Sequence, residues 1–178
     1  MKIKKIILTS FFIALTAFSL NASGAGFQLG LFPSLKISEE GIQSSDFDIN
    51  ATGTVRCSRI PLVFGAGILA GFKDSAIKAG FSAFSDWWII DSQIENTWNI
   101  FSGFGLGTAL KSNFSDSLEI NLGPRFFAGM NWLFWDNYLE LYIQQNINPV
   151  FSKDLKNNNS ESSLKMFFPF ETGLRFHF

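Results

Sequence analysis

The feature that most constrains the fold is a two-residue alternation of polar and apolar side chains along most of the chain. Asp48 and Asn50, for example, alternate with Phe47, Ile49 and Ala51. Successive side chains of a β-strand point to opposite faces, so this period indicates strands with one polar and one apolar face. The alternation predicts eight strands, near residues 26–37, 46–57, 60–72, 77–90, 94–110, 118–132, 138–151 and 164–178. The predicted fold class is therefore all-β.

Charged residues are confined to one face of the predicted strands. The apolar faces carry none, whereas the opposite faces carry Lys36, Asp48, Arg56, Lys78, Asp86, Glu95, Glu119, Arg125, Glu140, Lys165, Glu171 and Arg175. A basic side chain at the bilayer midplane costs about 2–4 kcal/mol, so charge-free faces suit contact with lipid. Alternation alone does not say which face points outward, because a soluble barrel would place the charges outside.

The N-terminal segment has the three-part layout of a secretory signal peptide. Lys2, Lys4 and Lys5 precede an apolar run over residues 6–20, and small residues follow at 21–25. The run has about 15 residues, whereas a transmembrane helix needs about 20. We predict a cleavable signal peptide over residues 1–25, with cleavage between 22 and 25, and a barrel domain over 26–178. No later run is long enough for a transmembrane helix. The exported chain is then either soluble outside the cytoplasm or crosses a membrane with strands.

The connections alternate between long polar segments and short turns. The polar ones span residues 38–45, 73–76, 111–117 and 152–163, and the shorter ones lie near 58–59, 91–93 and 133–137. An even number of antiparallel strands with loops at one end and short turns at the other is typical of an outer-membrane barrel. The five tryptophans all fall at the short-turn end, and we predict that they form a periplasmic aromatic girdle. They are Trp87, Trp88, Trp98, Trp132 and Trp135.

The sequence offers few residues for catalysis or for cofactor binding. Its only histidine, His177, and its only cysteine, Cys57, exclude a multi-histidine metal site, an internal disulfide and a cysteine-based zinc cage. The glycines between 103 and 107 lack the strand-to-helix context and the lysine of a phosphate loop. We predict that they make room for large side chains inside the barrel. The expectation is a protein without enzyme activity, cofactor, metal or nucleic-acid partner.

The C-terminal residues form the most specific motif of the chain. Glu171, Gly173, Phe176 and Phe178 place a polar residue, a glycine and two aromatic residues in one alternating strand that ends the sequence. This pattern looks like the C-terminal signal that the barrel assembly machinery reads. An unpaired terminal strand is suited to recognition by strand addition.

Two ion pairs across the lumen follow from counting residues along antiparallel strands. If residue 151 faces residue 164, then Glu140 faces Arg175, and direct neighbours have Cβ atoms about 5 Å apart. The same counting across 111–117 places Arg125 opposite Gly103, which leaves space for its side chain to reach Glu171. Eight strands enclose an interior that side chains can fill, so we predict a lumen sealed by ion pairs.

Four stretches carry a resemblance to a known family: residues 58–67, 123–132, 138–141 and the C-terminal strand. The chain resembles the small eight-stranded outer-membrane proteins of the OmpA, OmpX and OmpW type, and is most similar to the short barrel proteins of spirochaetes. This resemblance implies an up-and-down transmembrane barrel in the bacterial outer membrane.

The implied functions remain open at the level of the sequence. One is a structural or surface-interaction role for a barrel with a filled lumen, with outer-membrane lipid, the assembly machinery and a host or extracellular ligand as partners. The loops at 38–45 and 152–163 would then be the exposed patches. The others are a narrow conduit or binding site for small hydrophobic molecules and a soluble periplasmic ligand-binding barrel.

The terminal phenylalanine generates a first test. Changing Phe178 to Asp removes the aromatic side chain presumed to be recognised, so we expect little of this variant in the outer-membrane fraction. Immunoblots of fractionated cells measure this directly, with Phe178→Tyr as the matched control. Outer-membrane levels of Phe178→Asp equal to wild type would contradict the role assigned to this residue.

Overall fold

The computed structural model describes residues 22–38, 41–57, 59–73, 76–113, 117–156 and 162–178. Nine strands are present: β1 (Ala22–Ser38), β2 (Gly41–Cys57), β3 (Leu62–Lys73), β4 (Ala76–Glu95), β5 (Trp98–Ser112), β6 (Leu118–Phe134), β7 (Leu139–Asp154), β8 (Ser163–Phe167) and β9 (Phe170–His177). No helix in this described part of the chain is long and apolar enough to span a membrane.

The strands form one closed antiparallel sheet. Each strand pairs with the next along the chain as far as β7, which pairs with both β8 and β9. Strand β1 pairs with β2 on one side and with β8 and β9 on the other, and this pairing closes the ring. Because β8 and β9 lie end to end, they occupy one position, and the ring has eight positions. The predicted all-β fold with an eight-position ring is confirmed.

The eighth position is divided, although the sequence predicts one strand over 164–178. The division falls at Phe168 and Pro169, because proline has no backbone N–H to donate to a sheet. The backbone at Phe168 and Pro169 is still hydrogen-bonded to the neighbouring strands. The N–H of Phe168 donates to the carbonyl of Pro33 at 2.9 Å, and the N–H of Asn146 donates to the carbonyl of Pro169 at 2.8 Å. Lys165 in β8 and Glu171 in β9 are both buried inside the barrel, so the alternation of lumen-facing and outward-facing residues continues across the break.

Strands β1 and β2 both begin earlier in the sequence than predicted. Strand β1 already begins at Ala22, so residues 22–25, predicted to belong to the signal peptide, pair with β2 and β9. Residues 1–21 lie outside the described part, and cleavage stays a prediction. The loop predicted at 38–45 is largely strand, because Ser38 pairs with Gly41 and β2 starts there. Gly41 has a φ of 118°, a conformation that residues with a Cβ rarely adopt.

The turn predicted at 91–93 is also wrong. Strand β4 continues to Glu95, and β5 begins at Trp98 after a turn in which Asn96 has a positive φ of 32°. Register shifts between Trp88 and Ile90 and between Gln93 and Glu95 interrupt the regular alternation. Such bulges re-aim side chains. Glu95 is consequently exposed and does not face the lumen, contrary to its predicted position.

The barrel is apolar outside and polar inside. Exposed side chains along the wall include Ile68, Phe81, Leu106, Phe126 and Phe151. The buried set is mostly polar, and its members on β7 are Glu140, Gln144, Asn146, Asn148 and Ser152. A protein whose solvent is water buries its large apolar residues, so this inverted arrangement matches a barrel whose solvent is lipid. The ring has two ends: the start of β1 and the end of β9 lie at the terminal end, and the end of β7 and the start of β8 lie at the loop end.

A substitution on the apolar outer wall tests whether this wall faces lipid. Leu106 lies near the middle of β5 and is 62% exposed. In a bilayer, Leu106→Arg should lower the free energy of unfolding by about 2–4 kcal/mol, because a charge at mid-depth must leave water. Urea titration of the barrel refolded in lipid vesicles measures this loss, with Leu106→Met as the control. If Leu106→Arg is as stable as Leu106→Met, the wall does not face lipid.

Candidate functional site: the barrel interior

The interior is filled by side chains that form successive layers between the two ends. Four sets are named here from the loop end to the terminal end: the Glu119 cluster, the Arg125 cluster, the aromatic plug and the Glu140 cluster. Eight-stranded barrels are narrow enough for side chains to fill them. The chemistry of each layer therefore decides what the barrel can pass or bind.

The Glu119 cluster closes the loop end. Lys165 donates to one Glu119 oxygen at 2.8 Å, and Lys78 donates to the other at 3.0 Å. Ser152 also donates to this carboxylate, at 2.9 Å. Two lysines therefore share the Glu119 carboxylate. A second pair, between Lys111 and Asp48, lies nearby and is almost completely buried.

The Arg125 cluster crosses the middle of the barrel. The Arg125 guanidinium makes two bonds to Asp86, with Nε–Oδ1 at 3.0 Å and Nη2–Oδ2 at 3.2 Å. Nη2 also lies 3.0 Å from Oε2 of Glu171, which accepts further bonds from Gln144 and Asn146 at 2.6 Å each. Two-bond arginine–carboxylate contacts are among the strongest hydrogen bonds in proteins. This layer links β4, β6, β7 and β9 across the lumen.

The structure brings Arg125 to Glu171, as the sequence predicts, but by a different register. Arg125 pairs with Gly105, not with Gly103. The reason is that β5 runs on to Ser112, so the β5–β6 connection is shorter than predicted and the pairing moves by two residues. A side chain at Gly107 would meet Arg125, with the added Cβ only 2.9 Å from its Cδ. Gly107, rather than Gly103, gives the arginine its space.

The aromatic plug lies next to the Arg125 cluster. Trp88 stacks on Phe101, with ring centroids 4.1 Å apart and an angle of 7° between the planes. Phe127 and Tyr142 pack against Phe101 at centroid distances of 6.2 and 6.4 Å. All four rings are buried. The Tyr142 hydroxyl donates to Gln28 at 2.9 Å, so its polar end is satisfied.

The position of Trp88 corrects the predicted girdle. Trp88 is only 4% exposed and points into the lumen, whereas its neighbour Trp87 is 44% exposed on the outer wall. Adjacent residues of a strand must point to opposite faces, so both cannot belong to one girdle. Trp98 and Trp132 meet edge to face on the outside, with centroids 4.9 Å apart. Trp135 lies exposed in the β6–β7 turn.

The Glu140 cluster lies at the terminal end and contains the pair that the strand counting predicts. Glu140 and Arg175 are direct cross-strand neighbours, and Arg175 Nη1 lies 2.7 Å from Glu140 Oε2. Asn131 donates to the other oxygen at 2.7 Å. Both members of the pair are fully buried. The Arg175 guanidinium also lies 5.0 Å from the ring of Tyr142, which joins this cluster to the aromatic plug.

The residues with potential reactivity sit at the mouth of the terminal end. His177 Nε2 lies 2.9 Å from Glu140 Oε2, so the imidazole contacts the same carboxylate as Arg175. Cys57 has a partly exposed thiol and lines the same mouth. No group of three metal-binding side chains occurs among the described residues. The arrangement supports a hydrogen bond between His177 and Glu140, and within the described part of the chain no hydroxyl group bonds to the imidazole.

The four residues of the C-terminal motif divide between the two faces. Glu171 is buried in the Arg125 cluster, whereas Phe176 and Phe178 lie on the outer surface. Gly173 lies against the Tyr142 ring, and a Cβ added there would overlap it. The motif therefore includes lumen contacts as well as an exposed aromatic edge. Its role in assembly stays a prediction.

The sequence prediction missed the aromatic plug and the Glu119 cluster. A signal for the plug was available, because Phe101, Phe127 and Tyr142 occupy the same alternation as Asn99, Arg125 and Glu140 on their strands. An aromatic residue in a polar alternation indicates a filled lumen. The Glu119 cluster joins residues from four strands, and such a convergence needs the ring closure that the sequence does not specify.

A closed eight-position ring with a lipid-compatible wall and an ion-paired interior defines the fold of a small outer-membrane β-barrel. One solved structure supports this fold, and a second one aligns more weakly. Neisserial surface protein A aligns with a TM-score of 0.56 and 13% identity, over 86% of this chain and 97% of its own. The outer-membrane protease OmpT from Escherichia coli aligns with a TM-score of 0.31 and 11% identity, over 87% and 96%. At these identities the likeness establishes the fold alone.

Comparisons based on sequence add nothing to this assignment. No family model matches the chain, and no curated protein matches it. The structural comparison confirms the resemblance to small outer-membrane barrels at the level of fold.

The buried Glu140–Arg175 pair can be tested by a double-substitution cycle. Glu140→Leu should lower the free energy of unfolding by about 3–5 kcal/mol, because it leaves the Arg175 guanidinium buried without its carboxylate. Glu140→Leu combined with Arg175→Met should cost less than either single change, since no buried charge remains. Denaturant titrations in lipid vesicles give all four values. Additive single effects would mean that the two side chains do not interact.

Proposed function

We propose that this protein is an integral outer-membrane β-barrel with a closed lumen and a structural or surface-interaction role. The observation that carries the proposal is the combination of an apolar outer wall with an interior closed by the Arg125 cluster and the aromatic plug. A wide pore would need a hydrated passage between these layers. The stacking of the buried rings of Trp88 and Phe101 inside the lumen supports a closed passage.

Three features support an outer-membrane location. The apolar wall matches lipid, the exposed tryptophans gather at the terminal end, and the chain ends in an aromatic strand motif. If the exposed tryptophans mark the periplasmic side of the membrane, the terminal end lies in the periplasm and the loop end faces the outside of the cell. A soluble periplasmic barrel is disfavoured, because it would expose residues such as Phe81 and Leu106 to water.

The surface role is assigned to the loop end. The segment 152–163 contains the connection between β7, which ends at Asp154, and β8, which begins at Ser163. The segment 38–45 contains the connection between β1 and β2. We propose these two segments as contacts for an extracellular ligand. Outer-membrane lipid and the barrel assembly machinery are the other partners we propose.

We infer that the protein is not an enzyme. His177 is engaged by the Glu140 carboxylate, which also holds Arg175. Acid–base catalysis would require the imidazole to face a nucleophile or a substrate. The geometry instead favours a role for His177 as a hydrogen-bond partner of Glu140 at the periplasmic mouth.

A two-part experiment tests the proposed function. The wild-type protein should stay in the membrane fraction after alkaline carbonate extraction, because a closed barrel keeps its backbone hydrogen bonds internal. The purified protein should give no stable single-channel current in planar bilayers. Replacing Trp88 and Phe101 by Ala should raise the conductance, whereas Trp87→Ala, on the outer wall, should not. Release by carbonate would refute the membrane location, and stable wild-type currents would refute the closed lumen.

A further inference from the structure

A cavity lies inside the barrel between the Glu119 cluster and the Arg125 cluster. It has a volume of about 70 Å³, and its lining includes Asn50, Asn121 and Asn148 together with the rings of Phe84 and Phe167. A single buried water needs about 10–15 Å³ of such space. The cavity is therefore large enough for a small organic molecule, and its walls are part polar and part aromatic.

The amides of Asn121 and Asn148 point to what the cavity recognises. Both residues are more than nine-tenths buried. Neither the Oδ1 nor the Nδ2 of Asn121 has a hydrogen-bond partner in the described part of the chain, and the same holds for Oδ1 of Asn148. A buried polar group without a partner costs about 1–3 kcal/mol. A ligand that supplies both a donor and an acceptor would remove this cost.

The charged residues around the cavity favour a neutral ligand. Lys111 is paired with Asp48, and both line the cavity. The Arg125 guanidinium is held by Asp86 and Glu171 and lies 4.3 Å from the centre of the Phe84 ring. Each cation thus already has a carboxylate partner. An anionic or cationic ligand would have to separate one of these buried pairs, which is costly.

We propose that this cavity binds a small neutral heterocycle that carries an amide-like donor–acceptor edge, the chemistry of a free pyrimidine base. The side-chain amide of Asn121 offers one donor and one acceptor side by side, so it can form two bonds with such an edge. The Oδ1 of Asn148 accepts a further hydrogen bond. The phenylalanine rings supply the flat apolar walls on which a planar ring packs.

Access to the cavity comes from the loop end, because the aromatic plug blocks the other side. The Glu119 cluster lies on this path. Its most exposed side chain is that of Lys78, at 21%, compared with 8% for Lys165. Opening the Lys78–Glu119 pair would leave Lys165 to compensate the carboxylate. The cavity is thus a dead-end site that a ligand enters and leaves on the same side, which is compatible with a lumen closed to ions.

The experiment uses uracil as the probe and 1,3-dimethyluracil as the matched control, in which both N–H donors are methylated. The full chain, refolded in detergent micelles, is titrated with each compound by isothermal calorimetry. We expect saturable binding of uracil at one site per chain and at least tenfold weaker binding of 1,3-dimethyluracil. No uracil binding by the folded protein, or equal binding of the two compounds, would overturn the proposal.

Variants locate the binding to this cavity. Asn121→Leu should weaken uracil binding at least tenfold, and Val150→Phe, which takes up space in the cavity while both asparagines are retained, should do the same. Asn99→Leu changes an asparagine that is equally buried at the terminal end and should bind like wild type. The shift in gel mobility on boiling in SDS identifies the variants that fold. Unchanged binding in folded Val150→Phe would place uracil elsewhere and overturn the proposal.

Discussion

The structure depends on the pairing of charges inside a narrow barrel. Eight strands enclose too little space to hydrate a buried arginine or carboxylate, so each charge must find its partner on another strand. Arg125 satisfies this constraint with two carboxylates, Asp86 on β4 and Glu171 on β9. These contacts tie the first half of the ring to its last strand. Loss of one partner would leave a buried charge without its counter-charge, which is strongly destabilising.

Glycines make this filling possible. A Cβ added at Gly65 would overlap the Phe84 ring, and one at Gly129 would overlap Phe101. Gly107 has the same relation to Arg125. Phe84, Phe101 and Arg125 therefore each lie over a glycine of an adjacent strand. Any larger residue at these glycines would displace a ring or a guanidinium that takes part in closing the lumen.

The sequence predicted the contacts that follow from regular alternation along the strands. It missed those that depend on strand ends and on the convergence of several strands. Glu140 and Arg175 could be paired from strand counting, because the β7–β9 register runs without a shift from Leu139 to Gln145. The position of Arg125 was two residues off, since the end of β5 cannot be read from a polar connection. Glu95 was misplaced because bulges in β4 alter the alternation. Trp88 was assigned to the girdle from its position along β4, although regular alternation with Trp87 points it into the lumen. The cavity beside Asn121 was not foreseen, because it results from the convergence of several strands.

The central claim is that apolar side chains cover the outer wall of this barrel and polar side chains fill its lumen, which is the reverse of a water-soluble barrel. Trp87 and Trp88 test this claim most directly. They are adjacent in sequence but point to opposite faces of β4. Two variants, each retaining only one of these tryptophans with Phe at the other four positions, are refolded in vesicles of brominated lipid, whose bromine quenches tryptophan fluorescence on contact. The account predicts strong quenching of Trp87 and almost none of Trp88. Stronger quenching of Trp88 than of Trp87 would contradict it.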